Sequence, residues 1–172
     1  RDEFISLVPC TLTIERDDYF DTIVETAIDE IEKFLSGTRE EFKINELDDP
    51  DVFLWFIRSV QQYAEYRSIE QAATRFGDIV IRIINFIKKQ NHPNLFMHNN
   101  NLLYVNGTEK PATWMSAVEN NQPITPRTGY VVEINALWYN ALKFTSILER
   151  QAGNEQSADL LDYQAEIARD SF

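Results

Sequence analysis

The 172-residue chain has one cysteine, Cys10, and two histidines, His92 and His98. A disulfide framework within one chain and a cysteine zinc site are therefore excluded, and two histidines make no metal-ligand cluster. Positive charge is scarce as well. Lys and Arg number 16 against 28 Asp and Glu, giving a formal net charge of −12 and a pI of about 4.5. That argues against nucleic acid, whose phosphates select basic surfaces. No long uncharged apolar run occurs, so no membrane span is predicted. Five glycines and six prolines are about half of average usage, which favours long uninterrupted elements over a turn-rich sandwich. The chain starts at Arg1 and no charged-then-apolar signal segment follows, so a piece of a longer, cytoplasmic protein is expected.

The hydrophobic content of 44% and aromatic content of 12% are those of a folded chain, and at roughly 100–200 residues per domain 1–172 is one domain. Periodicity predicts five helices. The first carries Phe20, Ile23, Val24, Ala27, Ile28, Ile31, Phe34 and Leu35 and ends at Gly37, with Asp17, Asp18 and Asp21 where the helix dipole favours acids. The second opens at Asp49-Pro50 as N-cap and first-turn proline, runs to Arg67, and is apolar all round through Phe53–Ile57. The third starts at a Ser68/Gln71 capping box and closes on Lys88 and Lys89. The fourth runs from Val131 to Gly153 and is again apolar nearly all round, and the fifth is capped at Ser157 and continues to Phe172. Between Asn91 and Gly129 the helical period vanishes, and Leu102–Val105 followed by Asn106-Gly107 reads as a strand entering a hairpin turn.

This is an all-α pattern with a short β-hairpin in the 91–129 loop. Enclosed helices alternating with one-faced helices suggest two concentric layers of antiparallel pairs, although five helices cannot close such a ring. A compact bundle with the second and fourth helices at its centre is the alternative. Either way those two helices should be the most buried, with the 91–129 loop lining one end.

The chemistry lies in and around that loop, which at this length is of the kind that usually serves function. Thr113-Trp114-Met115-Ser116 is followed by Thr125-Pro126-Arg127 and then by Glu133-Ile134-Asn135-Ala136-Leu137-Trp138-Tyr139-Asn140. Together with Arg1-Asp2-Glu3-Phe4-Ile5-Ser6-Leu7, and with Asp51 before Leu54-Trp55-Phe56-Ile57, these stretches resemble the C-terminal glucosidase domain of bacterial and archaeal-type glycogen debranching enzymes. The resemblance spans nearly the whole chain. It implies a partial (α/α)6 toroid, about twelve helices when complete, of which the periodicity here accounts for five.

The activity it implies is inverting hydrolysis of α-1,6-linked glucose at glycogen branch points, by one carboxylic acid and one carboxylate base. No cofactor is implied. In the family the acid is an aspartate directly after the segment like Thr113-Trp114-Met115, where this chain has Ser116. An unactivated hydroxyl is far too weak an acid for that step, so Glu119 and Glu133 become the candidate replacements. The matching puts the base beyond Phe172, and the chain by itself is expected to be inactive.

The same resemblance makes Arg1 and Asp2 a pair gripping glucose hydroxyls, although a chain terminus favours fraying. It makes Asp51 pocket-side, where composition alone reads Asp48, Asp49 and Asp51 as helix-cap carboxylates. Trp114 as a sugar-stacking platform and Trp138 or Tyr139 as core filler are equal alternatives. Arg127 is a functional residue or a loop organiser, and Glu133 is equally readable as a first-turn carboxylate. His98 and Cys10 are expected to be structural, and Asn106-Gly107-Thr108 to be a turn rather than a glycosylation acceptor. The expected partner is glycogen or another branched α-glucan, with self-association through the open helical edge. The rival class is a non-catalytic glucan-binding or helical interaction module, motivated by Ser116.

Overall fold

The computed structural model describes residues 1–38, 43–44 and 46–172. Among these are six α-helices: α1 (Asp2–Cys10), α2 (Asp17–Leu35), α3 (Val52–Tyr66), α4 (Ile69–Lys88), α5 (Val132–Gln151) and α6 (Glu155–Ser171). The periodicity identifies all but α1. That helix is only nine residues long and carries Pro9, so its buried stripe of Phe4, Leu7 and Val8 is too brief to register as a period.

Named contacts give the helix directions. Arg1 bonds Asp51 and Phe4 packs edge-on against Phe56, so α1 and α3 run parallel. Phe20 stacks on Tyr63 and Phe34 meets Phe53, which makes α2 antiparallel to α3. The ion pairs Arg75–Asp21 and Arg82–Glu32 set α4 parallel to α2. Gln90, just past the end of α4, and Asn135, in the first turn of α5, hold the two strands of one hairpin, so α5 starts where α4 ends and runs back along it in the direction of α3; Gln61 of α3 and Asn140 of α5 bond at 2.7 Å, and α6 returns along α5 after the 152–154 link. The helices α1, α3 and α5 therefore point one way and α2, α4 and α6 the other. This is the two-layer arrangement of helical hairpins, and it favours the concentric-layer expectation over the compact bundle.

Burial follows the layers. α3 hides Val52, Phe53, Leu54, Phe56, Ile57, Val60 and Tyr63, and α5 hides Ile134, Trp138, Ala141, Leu142, Phe144 and Leu148, whereas α2 buries one stripe only. Each large side chain fully removed from water contributes about 1.5–3 kcal/mol, so the inner row carries most of the cohesion. No helix among the described residues is long and apolar enough to cross a membrane.

The links 11–16, 67–68 and 152–154 are short and lie at one end, whereas residues 46–51 and the long connection 89–131 lie at the other, where α1, α3 and α5 begin. There the chain forms two antiparallel hairpins, β1 (Leu95–Met97) with β2 (Leu103–Val105) and β3 (Val118–Glu119) with β4 (Gln122–Pro123). The predicted strand is correct, but its partner is not the one expected. β2 pairs backwards with β1, and Asn106-Gly107 leads instead to a Val105–Gly129 backbone bridge. Both edges of the β1–β2 hairpin are closed by side-chain amides. Gln90 bonds the Met97 backbone through Nε2 and Oε1, Asn135 does the same for Leu103, and Met97 faces Leu103 across the register.

Two predicted caps move. α3 starts at Val52 with Asp51 as N-cap residue and no side-chain cap bond, because the carboxylates of Asp49 and Asp51 are engaged by distant cations. α6 begins at Glu155 after Asn154, so Ser157 lies inside its first turn. The Ser68 cap is as predicted, with Ser68 Oγ accepting from Gln71 N–H at 3.2 Å.

His92 is wholly buried between Phe34 and Phe53, and its Nδ1 accepts the Asn94 backbone N–H at 3.1 Å. Burial, opposed only weakly by Asp48 and a backbone contact at Leu47, pushes its pKa down to about 4. A folded value below the unfolded value of about 6.5 means that the unfolded chain takes up the proton first. The stability contributed by neutral His92 is thus complete above pH 6.5 and is lost as pH falls towards 4. Between pH 7 and pH 5 urea unfolding should show a loss of about 2 kcal/mol from this residue, reaching about 3 kcal/mol below pH 4. His92→Phe, which keeps a ring in the same cage, should abolish that component; an unchanged pH slope would refute the assignment.

Candidate functional site at the helix starts

The starts of α1, α3 and α5 put Arg1, Asp51 and Glu133 at one end of the molecule, and the positive ends of three helix dipoles converge there with them. Arg1 is not frayed. Its side chain is 6% exposed and forks onto the equally buried Asp51, with Nε donating to Oδ2 at 2.5 Å and Nη2 to Oδ1 at 2.8 Å. A third bond runs from Nη2 to Asp49 at 3.3 Å. Asp2, the expected partner of Arg1, is exposed, and its carboxylate bonds none of the described residues. The fork is taken up by carboxylates at the entrance to α3, so Arg1 ties the starts of two inner helices together.

The long loop is fastened onto the same end. Lys110 Nζ lies 2.8 Å from Asp48 Oδ1 and 2.7 Å from Asp49 Oδ1. Burial raises the Asp49 pKa above the ordinary aspartate value despite Lys110 and Arg1 beside it, and the two aspartates raise Lys110 in turn against its own burial. Asp48 and Asp49 are strap points here, not helix caps.

Arg127 and Glu133 form an ion pair through Nη2 and Oε2, both side chains about one-quarter exposed. Each keeps one buried polar atom with no partner among the described residues, Arg127 Nε and Glu133 Oε1. A free N–H and a free carboxylate oxygen are together the complement of a hydroxyl, which both donates and accepts, once the groups covering them move aside to admit one. Gly107 holds this arrangement from behind, because a Cβ there would stand 2.3 Å from the Arg127 carbonyl oxygen. Its N–H donates to Thr128 Oγ1 at 3.1 Å. The sequence reading missed this role, since Asn-Gly signals a turn more strongly than a close approach of two backbones.

Thr113 is fully buried and anchors a short stretch from which Trp114 projects at 62% exposure. The structure thereby separates the two tryptophans: Trp138 is core, with Nε1–H donating to Asn101 O at 3.0 Å, and Trp114 offers its ring to solvent. Ser116 and Glu119 are both exposed, Glu119 on the β3–β4 hairpin whose Asn120 and Asn121 take positive φ. Cys10 is a free, exposed thiol. His98 is exposed as well, with Nδ1 bonded to Tyr130 Oη at 2.5 Å. No group of three His, Cys, Asp or Glu among the described residues is arranged to hold a metal ion.

Two layers of helical hairpins, with an arginine–carboxylate pair and an exposed tryptophan gathered where the inner helices begin, have the form of a helical glycosidase-type domain. The profile of the amylo-alpha-1,6-glucosidase family matches residues 1–172, the whole chain, and the chain belongs to that family. No curated protein and no solved structure matches it.

Proposed function

We propose that this chain is part of the (α/α)6 glucosidase domain of a glycogen debranching enzyme, where it receives an α-1,6-linked glucose at a branch point of cytoplasmic glycogen. The observation that carries this reading is the Arg127–Glu133 pair, with its unpaired buried N–H and carboxylate oxygen at the end where the inner helices start. On this reading Glu133 is the carboxyl of the scissile region, held in place by Arg127, and it can protonate the leaving oxygen only once Arg127 has turned from it to the substrate. Trp114 stacks on the apolar face of a sugar ring. On this reading Arg1, Asp2, Asp51 and Glu119 belong to the same sugar-binding region. In an inverting mechanism a second carboxylate activates water on the opposite face of the ring. On this reading that group comes from outside residues 1–172 and the isolated chain releases no glucose.

One observation favours a second reading. Ser116 stands where the family resemblance implies the aspartate acid, and it is exposed with no proton to give near neutral pH. A non-catalytic glucan-binding module would result. Ser116→Asp in the complete domain separates the two. If Glu133 already serves, a new carboxylate nearby lowers turnover on a branched limit dextrin through like-charge repulsion. If the acid has been lost, the substitution raises turnover, by up to the roughly 10²- to 10⁴-fold that general acid catalysis supplies. The expected result is the decrease.

The outward side of α6 leaves Leu160 and Tyr163 exposed. On the same reading this is the edge against which a further helical pair, or a second copy of the chain, packs.

A further inference from the structure

The β1–β2 hairpin and the segment before α5 bring three rings together outside the Arg127–Glu133 pair. His98 stacks on Tyr104 with centroids 5.4 Å apart and planes 16° from parallel. Tyr130 stands across both, 5.4 Å and 88° from His98 and 5.9 Å and 87° from Tyr104. Tyr130 is 44% exposed, and with Met97, Asn99 and Asn100 it lines an open depression of about 430 Å³.

The rings form a fixed corner. The Tyr130 hydroxyl is bonded to His98 Nδ1 at 2.5 Å. Val105 and Gly129, the neighbours of Tyr104 and Tyr130, exchange two backbone bonds of 2.9 Å. The hairpin turn is held by Trp138 at Asn101 and by the Asn135 amide at Leu103. Such rigidity is not needed for two exposed rings on a half-buried one, but it suits a recognition surface, because side chains already fixed lose little entropy when a ligand arrives.

We infer that this corner is a subsite for an unbranched α-1,4-glucan segment, the chain from which the branch-point glucose hangs. The inference rests on the glucan reading proposed above and names a second contact surface for the same substrate. Ring faces pack against the C–H faces of pyranoses, and the side chains of Asn99 and Asn100 at the rim supply amide donors and an acceptor for hydroxyls. The lining carries no carboxylate and no Lys or Arg, which fits an uncharged polyol. Stacked nucleobases would bring phosphates towards a chain of net charge −12, against the requirement for basic surface. Tyr130 is three residues before Glu133 at the entrance to α5, so the corner and the Arg127–Glu133 pair are carried by one short stretch of chain.

The test uses the full chain and maltoheptaose, a linear α-1,4 oligomer without branches, followed by backbone amide chemical shifts. In the unmodified protein the shifts should concentrate at residues 97–104 and 129–130. Tyr130→Ala should weaken binding about tenfold or more, whereas Tyr130→Phe, which keeps the ring and loses the bond to His98, should stay within about threefold. Shifts confined to other residues, or equal affinity for Tyr130→Ala, would overturn the subsite while leaving the glucan reading intact if a branched limit dextrin still binds. Absence of binding by either glucan would overturn both. Should Tyr130→Ala fail to fold, the shift map of the unmodified chain decides alone.

Discussion

Glu133→Gln is expected to lower glucose release from a branched limit dextrin by about 10²-fold or more in the complete domain, while leaving the fold intact. Glutamine has the shape of glutamate, and its carbonyl oxygen still accepts from Arg127, so the polar cradle formed with Gly107 and Thr128 survives. What disappears is the ionisable carboxyl. The ion pair is only partly buried, and such pairs are worth about 1 kcal/mol or less, so the thermal midpoint should move by only a few degrees. A large loss of turnover with little loss of stability therefore separates a chemical role from a structural one. Glu119→Gln, on the exposed β3–β4 hairpin, is the comparison and should alter the rate little. A Glu133→Gln variant within threefold of the unmodified enzyme would remove this residue from the chemistry and leave Arg127 and Trp114 as glucan contacts.

The largest effect on stability should come from Asp51→Ala. Arg1 and Asp51 are both nearly solvent-free and joined by a two-bond fork, and Arg1 keeps only the longer 3.3 Å bond to Asp49 once Asp51 is gone. Removing one partner of a buried pair strands the other charge, which typically costs about 3–5 kcal/mol. The same substitution unfastens α1 from α3, so urea unfolding should show an early loss of protection in residues 2–10 before the global transition. Replacing both members at once, Arg1→Met with Asp51→Leu, should cost markedly less, since no charge is then left buried. A loss below 1 kcal/mol for Asp51→Ala would mean that the fork contributes orientation and no net stability.

Local signals reached much of this molecule. The 3.6-residue period located α2 to α6 because each buries a continuous stripe over at least four turns, and the all-round apolar pattern of Phe53–Ile57 correctly marked the most enclosed helix. The Ser68 cap was legible because its bond spans three residues. The caps at Asp49 and Ser157 were not, the former because Arg1 and Lys110 compete for that carboxylate across the fold. The motif around Thr125-Pro126-Arg127 and Glu133 marked the segment in which Arg127 and Glu133 pair. It could not reveal that Arg127 and Glu133 meet, that Gly107 supports them, or that His98, Tyr104 and Tyr130 share a corner.

The sequence by itself determined an acidic, all-helical chain with two enclosed helices, a long irregular loop and membership of a glucosidase family, because composition, periodicity and short motifs are properties of neighbouring residues. Only the tertiary structure decided that α1, α3 and α5 run parallel, that Arg1 is buried rather than loose, and that one tryptophan is core and the other surface. Those outcomes depend on contacts between residues 50 or more positions apart, such as Arg1 with Asp51 and Gln61 with Asn140. Such contacts form only once the layers have closed and water has been removed from between them, and no local pattern along the chain encodes that step.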